Sequence, residues 1–177
     1  MGIQISVVMR QQPIDNPWIT HQWVLDEVAV DIGQHAALMM SESFSFGEIK
    51  AYKISDSSNE KKWLFTGFYL DIYVDESEGY YLNVTSDKPC WFVMWRLEFI
   101  EELQAEIAVP HRVMLSYNEA ARLLDGGEQV DQLPMDKLIL ESLNQFVAEN
   151  YRPEVKKRHR PESFKGAARG LDEGFKR

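Results

Sequence analysis

The sequence is poor in the residues that most often carry chemistry in small proteins. It has one cysteine, Cys90, which excludes an intramolecular disulfide framework. Cys90 begins an apolar run with Trp91 beside it, a setting typical of a buried, inert thiol and of a reducing compartment. A zinc site needs ligands in close pairs. The histidines are instead isolated from one another along the chain, at His21, His35, His111 and His159.

Glycine-rich phosphate loops are also missing. Gly126–Gly127 follows a predicted helix and lacks the lysine and the preceding strand of a P-loop. Carboxylate pairs such as Asp75/Glu76 fall in turns, where no sequence feature indicates the pocket that would shift a catalytic pKa. We therefore predict no catalytic residue, no metal and no cofactor, and leave an enzyme with an unrecognised site as an open alternative.

Long apolar runs are absent too. No stretch reaches the roughly 18 residues that a membrane helix needs. The N-terminus, MGIQISVVMRQQ, lacks the basic leader and the small-residue cleavage site of a signal peptide. The sequence thus predicts a cytoplasmic protein without membrane contact, and no pattern in it indicates an oligomeric state.

Basic residues are scarce and unevenly placed. The chain of 177 residues has 19 Lys and Arg against 28 Asp and Glu, a formal charge of −9. Residues 152–177 hold nine basic and four acidic residues, a net charge of +5, so residues 1–151 carry −14. An acidic body disfavours nucleic acid as a partner. The basic segment is predicted to be a flexible tail that is either solvated or contacts a protein partner, through Lys156, Lys157, Arg158 and Arg160.

What the sequence does contain is β-strand pattern over its first two-thirds. Hydrophobic residues make up 45% and aromatic residues 12% of the chain, which argues for a folded body. Short polar turns between the later segments indicate an antiparallel meander. Residues 31–48 fit either a loop or a short helix. The predicted strands cover residues 3–10, 18–30, 49–55, 61–76, 80–87, 90–99 and 109–116.

The longest predicted strand, residues 61–76, has two distinct faces. Strict alternation places an aliphatic set on the core side, at Leu64, Thr66, Phe68, Leu70, Ile72 and Val74. The opposite set is aromatic with polar tips and is expected to be partly wet, at Trp63, Phe65, Tyr69, Asp71 and Tyr73. We predict that Trp63, Tyr69 and Tyr73 contact a partner.

Two helices are predicted at the end of the domain. Ser116 and Glu119 form a capping box that begins the first, over residues 116–126, and Gly126–Gly127 ends it. The second, over 134–150, begins near Pro134. Its apolar stripe consists of Met135, Leu138, Ile139, Leu143, Phe146 and Val147. The predicted fold is α+β: one strongly curved antiparallel sheet or partly closed barrel of about six to seven strands, covered by these two helices. Residues 1–151 form the single domain and residues 152–177 the tail.

The stretch NPWITHQW, residues 16–23, holds two tryptophans. In one regular strand Trp18 and Trp23 are five positions apart and point to opposite faces, so they cannot form two walls of one aromatic cage. One is expected to anchor the core. Trp18, next to Pro17, is expected to be the exposed one and a partner contact.

Three segments carry a family resemblance: NPWITHQW, SYNEAARLLDGGEQVDQLPM and ENYRPEVKKRHRPESF. Their clearest points are Asn16, Trp18, Trp23, the run 116–122, Gly127-Glu128, Val130-Asp131 and Tyr151-Arg152-Pro153. The chain resembles an uncharacterised bacterial family, known only as a domain of unknown function. Genes of that family commonly sit beside those of molybdenum- or tungsten-dependent formate dehydrogenase. The resemblance implies a context and no catalytic residues.

Three hypotheses for function follow. The first is a non-catalytic accessory or interaction protein for formate dehydrogenase: an assembly factor, a chaperone or a small associated subunit that binds formate dehydrogenase subunits. The second is a β module that binds a small molecule, such as an intermediate of the molybdenum cofactor. The third is the enzyme with an unrecognised site.

Overall fold

The structure, a computed structural model, describes residues 2–154. In this part of the chain it contains eight strands and three helices. The strands are β1 (Ile3–Pro13), β2 (His21–Val30), β3 (Ser43–Phe46), β4 (Ile49–Asp56), β5 (Lys61–Leu70), β6 (Cys90–Ile100), β7 (Ala105–Met114) and β8 (Gln129–Pro134). The helices are α1 (Ser77–Val84), α2 (Tyr117–Asp125) and α3 (Lys137–Asn150).

The strands of residues 2–154 form two antiparallel sheets. One has five strands in the order β2-β1-β5-β4-β3, and the other has three in the order β7-β6-β8. The prediction of an α+β fold, with one curved sheet or partly closed barrel covered by two C-terminal helices, is therefore wrong. The described residues are mainly β-strand in two sheets, and a third helix, α1, precedes β6. The chain that connects the two sheets, between β5 and β6, forms a helix instead of the strand predicted over residues 80–87.

That helix, α1, buries an unusual face. Its buried residues are Ser77, Gly79, Tyr80 and Asn83, of which only Tyr80 contributes a large side chain to the hydrophobic core. The Asn83 amide bonds to backbone groups at the start of β6 and just after β7, so hydrogen bonds hold the helix in place. An apolar stripe is the signal that reveals a helix in a sequence. Because α1 has none, the pair Tyr80-Tyr81 and Val84 gave a strand-like pattern.

The main core lies between the two sheets. The larger sheet contributes residues such as Ile5, Val7 and Phe65, and the smaller sheet contributes Trp91 and Val93. The sheets approach each other where β2 lies beside β8 and β5 beside β7. Helix α3 buries Ile139, Leu143 and Val147 in the same core, as its stripe predicts, but Leu138 of that stripe is exposed.

Strand β5 does not alternate regularly. Its pairing with β1 shifts register between Ile5 and Val7, opposite Gly67, which has φ +97°. This bulge inserts one residue, so the side chains after Gly67 change faces relative to a regular strand. Trp63, Phe65, Phe68 and Leu70 consequently share the main core. The prediction that Trp63 lies on a wet face is wrong, since it is 2% exposed.

The Ser116 cap and the glycine stop predicted for α2 are present, whereas the predicted start of α3 near Pro134 is wrong. The Ser116 side chain accepts the Glu119 backbone N–H at 3.1 Å and caps α2, and Gly127 follows the helix with φ +84°. Between α2 and α3 the chain adds β8, which pairs with β6 and was not predicted. Pro134 ends this strand, and α3 begins later, capped by Asp136. Residues 31–48, left open above, contain a short 3-10 turn and β3.

Candidate functional site

An open cleft of about 800 Å³ lies where β5 ends beside β7. Its walls come from the turn between β3 and β4, the end of β5, the chain leading into α1, the end of β7 and the inner side of α2. The Gly67 bulge brings β5 close to Glu48, since a Cβ at this glycine would overlap the Glu48 carbonyl oxygen. The cleft thus lies where these five parts of the chain meet.

A network of charged side chains forms one wall. Glu76, just before α1, accepts a hydrogen bond from the Ser116 hydroxyl at 2.6 Å and one from Arg122 at 2.5 Å. On the neighbouring turn of α2, Glu119 pairs with Arg112 of β7 at 2.6 Å. The two ion pairs join α1, α2 and β7. They also neutralise both arginines that line the cleft.

The two glutamates have opposite electrostatic environments. The hydrogen bond from Ser116, and then the Arg122 guanidinium, hold the pKa of Glu76 below its ordinary value of 4.5. Burial raises the pKa of Glu119, against the lowering effect of Arg112. Burial also raises the pKa of Tyr80, whose ring forms the floor beside them. Glu76 is therefore an ionised carboxylate at neutral pH and is held by hydrogen bonds from Ser116 and Arg122.

The pH dependence of the free energy of unfolding in Glu76→Gln tests this network. A carboxyl group with a depressed folded-state pKa stabilises the fold above its unfolded pKa, and that stability is lost as the pH falls through the folded value. We expect Glu76→Gln to lower the free energy of unfolding by about 1 kcal/mol at pH 7, and the difference to shrink below pH 4.5. Urea unfolding at several pH values measures it. A difference that stays constant down to pH 3, or that Glu106→Gln reproduces, would contradict the network.

The remaining charges of the cleft are acidic. Within residues 2–154, the lining carboxylates other than Glu76 and Glu119 form no ion pair with Lys or Arg: Glu48, Asp71 and Asp75. Five carboxylates against two arginines give the lining a formal charge of −3 with histidine neutral. The cleft accordingly favours a cationic ligand over an anionic one.

Three tyrosines line the cleft. Tyr69 and Tyr73 are exposed, as predicted, at 57% and 60%. Tyr80 is buried, and its hydroxyl accepts the Tyr73 backbone N–H at 3.2 Å. The Tyr80 hydroxyl proton has no acceptor among residues 2–154, so the floor of the cleft carries one unused donor.

A second surface feature is the loop between β1 and β2. The Ile14 N–H donates to the Thr20 carbonyl at 3.1 Å, and the Trp18 N–H donates to Asn16 Oδ1 at 2.8 Å, which fixes the backbone. Trp18 projects from this loop and is 90% exposed, so the prediction that it is the exposed member of its pair is confirmed. Trp23 packs partly against the core.

Of the other residues predicted to contact a partner, one is buried and four lie outside the described residues. Trp63, on β5, is buried in the main core and is not on the surface. Lys156, Lys157, Arg158 and Arg160 lie outside the described residues. The cleft residues Glu76, Arg112, Glu119 and Arg122 were not predicted as a site, because helix and strand packing alone brings them together. The only sequence signal near them is the capping box that contains Glu119.

Residues 2–154 contain no group of three or more His, Cys, Asp or Glu side chains placed to hold a metal ion. Cys90 is buried, and burial raises the pKa of its thiol. No helix of residues 2–154 is both long enough and apolar enough to cross a membrane.

Comparison with known proteins places the chain in a family. Residues 4–160 match a family described as a protein of unknown function (DUF3305). The chain belongs to the DUF3305 family. The DUF3305 match spans both sheets and all three helices of the described residues, and the predicted membership of an uncharacterised domain family is confirmed. No match to the chain was found among curated proteins or among solved structures.

Proposed function

We propose that this protein is a non-catalytic interaction protein that docks on another protein through the β1–β2 loop. The observation that carries the proposal is the 90% exposure of Trp18 in a loop whose backbone is held by hydrogen bonds. Tryptophan is enriched among the few residues that dominate binding energy at protein interfaces. A pre-ordered loop also loses little conformational entropy on binding.

The neighbour of Trp18 extends the same surface. Ile19 is exposed as well, so the loop presents two adjacent apolar side chains. Scattered single apolar residues are ordinary on protein surfaces, whereas a large aromatic side chain with an apolar neighbour on a fixed loop resembles an interface anchor. A rim of polar atoms surrounds them, from Asn16, Thr20 and His21.

The proposed partner is formate dehydrogenase. The resemblance of the sequence to a bacterial family encoded beside molybdenum- or tungsten-dependent formate dehydrogenase supports this choice. An assembly factor, a chaperone and a small associated subunit would all dock on that enzyme without catalysing a reaction. A cytoplasmic location belongs to the same proposal and is supported by the single, buried Cys90.

The experiment is affinity purification from the native host, with the intact chain and with Trp18→Ala. Loss of a central tryptophan contact typically weakens binding by more than 2 kcal/mol, so we expect recovery of formate dehydrogenase subunits to fall at least about tenfold. The free energy of unfolding should change by less than about 0.5 kcal/mol, because the side chain makes little contact with the fold.

Leu138→Ala provides the matched control, since Leu138 is another largely exposed apolar residue, on α3. It should leave recovery unchanged. The proposal fails if formate dehydrogenase subunits do not co-purify with the intact chain and deletion of the gene leaves formate oxidation unaffected. It also fails if both substitutions reduce recovery equally.

The alternative function, the binding of a small molecule such as a molybdenum-cofactor intermediate, would use the cleft. Its volume of about 800 Å³ lies within the range of ligand sites, about 300–1,000 Å³. The net acidic lining disfavours an intermediate of the molybdenum cofactor, because such pterins carry a phosphate group. Isothermal titration with a phosphorylated pterin tests this, and binding weaker than about 1 mM would exclude that ligand class.

A further inference from the structure

The cleft is a second candidate binding site, and it is independent of the docking loop because none of its lining residues belongs to that loop. The cleft lining combines unpaired carboxylates, exposed aromatic rings and a buried hydroxyl donor. Glu48 and Asp75 are exposed, and no Lys or Arg of residues 2–154 pairs with either. A ligand therefore meets acceptor groups that are free to pair with a cation.

The tyrosines add a second contribution. Tyr69 and Tyr73 present more than half of their surface to solvent at the same cleft. A Lys or Arg side chain is attracted to the face of an aromatic ring within about 6 Å, and Arg also stacks on it. Carboxylates and rings in one cleft thus select the same kind of side chain.

The Tyr80 hydroxyl favours a peptide over a simple cation, because it can donate a hydrogen bond to an acceptor on the ligand. This residue is 3% exposed and lines the cleft, and its hydroxyl proton has no acceptor within residues 2–154. A buried donor is stabilised by an acceptor. A polyamine or a metal ion has no acceptor to offer, whereas every residue of a peptide has a carbonyl oxygen. Arg112 and Arg122 do not compete with a cation for the free carboxylates, because each is paired with a glutamate.

The geometry points to a binding site for a basic peptide segment of a partner protein in this cleft. Its Lys or Arg side chains pair with Glu48 and Asp75 and lie against Tyr69 or Tyr73, and a main-chain carbonyl accepts the Tyr80 hydroxyl. The volume, about 800 Å³, exceeds that of one side chain and suits an extended segment of several residues.

The test uses the full chain and a fluorescein-labelled peptide in which arginine alternates with glycine and serine. Fluorescence anisotropy measures its affinity. We expect Glu48→Gln/Asp75→Asn to weaken binding about tenfold. The control Glu102→Gln/Glu106→Gln removes the same charge from exposed positions outside the cleft lining and should stay within about twofold. Equal weakening by both pairs would show general attraction to an acidic surface and would overturn the site.

Tyr80→Phe tests the hydroxyl without changing charge. The substitution removes the proposed bond to the peptide and also the bond that the hydroxyl accepts from the Tyr73 N–H, and it should weaken peptide binding about fivefold. Unchanged affinity in this variant, or competition by spermidine as effective as that of unlabelled peptide, would overturn the peptide as the ligand. Trp18→Ala should leave peptide affinity unchanged, so failure of the docking loop and failure of the cleft are distinguishable.

The chain's own basic segment is the remaining competitor. A full-length variant with Lys156, Lys157, Arg158 and Arg160 replaced by glutamine tests it. If the site serves a partner, the labelled peptide binds this variant and the unaltered chain within about twofold. Binding that becomes severalfold tighter in the variant would overturn the assignment to a partner, because the terminus would then be the natural occupant of the cleft.

Discussion

Asn83→Ala is expected to lower the free energy of unfolding by about 3–5 kcal/mol. The Asn83 amide nitrogen donates to the carbonyls of Cys90 and Leu115, both at 2.8 Å, and its oxygen accepts the Cys90 N–H at 3.0 Å. Asn83 is 1% exposed, so water cannot replace it at these backbone groups. Each buried group that loses its partner costs about 1–3 kcal/mol. Urea unfolding with an unchanged m value measures the loss.

Two further variants separate the hydrogen bonds from simple loss of volume. Asn83→Asp keeps the shape but places a carboxylate oxygen where the two carbonyls need a donor, so it should destabilise at pH 7 by a similar amount. Asn150→Ala removes an exposed amide that, among residues 2–154, donates only to the Phe146 carbonyl, and should cost less than about 0.5 kcal/mol. A loss below about 1 kcal/mol for Asn83→Ala would show that these three bonds do not hold α1.

The position of α1 matters for the cleft. This helix carries Tyr80, and Glu76 immediately precedes it. If Asn83 fixes the helix against β6 and the end of β7, its loss moves the hydroxyl donor and the Glu76 network together. Peptide affinity should therefore fall in Asn83→Ala even where the chain is still folded.

The sequence pattern was sufficient to predict an element where its buried side chains are apolar and recur at strand or helix spacing. The hairpin of β4 and β5, strand β6 and the two C-terminal helices all have side chains that repeat at strand or helix spacing. It was insufficient for α1, because Ser77, Gly79 and Asn83 on its buried face are polar or small. It was insufficient for β8 as well, where Val130 and Leu133 are too few to form a pattern.

One bulge accounts for the error at Trp63. Alternation along β5 predicts two faces correctly only while the pairing register is constant. Gly67, with φ +97°, adds a residue and changes the face of everything after it. The sequence contains this glycine, but an isolated glycine in a strand indicates a bulge without giving its direction.

The cleft could not be predicted from the sequence for a different reason. Glu76 and Arg122 are 46 positions apart and form a hydrogen bond only through the packing of α1 against α2. Trp18 was accessible to prediction because its exposure follows from the local signals Asn16 and Pro17. Local chemistry was therefore enough to predict that Trp18 is exposed, whereas the cleft required the tertiary structure.

Gly79→Ala is the second substitution with a large expected effect. Gly79 lies where α1 crosses the start of α2, and a Cβ there would overlap the Ser116 hydroxyl oxygen and lie 3.2 Å from the Asn118 backbone nitrogen. Overpacking costs about 1–3 kcal/mol, and displacement of an N-cap hydroxyl costs a further 0.5–2 kcal/mol. Alanine favours the helix by about 1 kcal/mol in the opposite direction. The net loss is expected to be about 2–3 kcal/mol in urea unfolding.

Gly126→Ala is the matched control. Gly126 has no positive φ, and an added Cβ would meet only carbonyls of its own helix at 3.3 and 3.4 Å, so its cost should be below about 0.5 kcal/mol.

The decisive variant is Gly79→Ala/Ser116→Gly. Ser116→Gly alone should cost about 1 kcal/mol, since it removes the hydrogen bond to Glu76 while glycine still serves as an N-cap. In the Gly79→Ala background the same change removes the overlapping oxygen and should raise stability by about 1 kcal/mol. Additive losses would mean that the two helices do not meet at this pair.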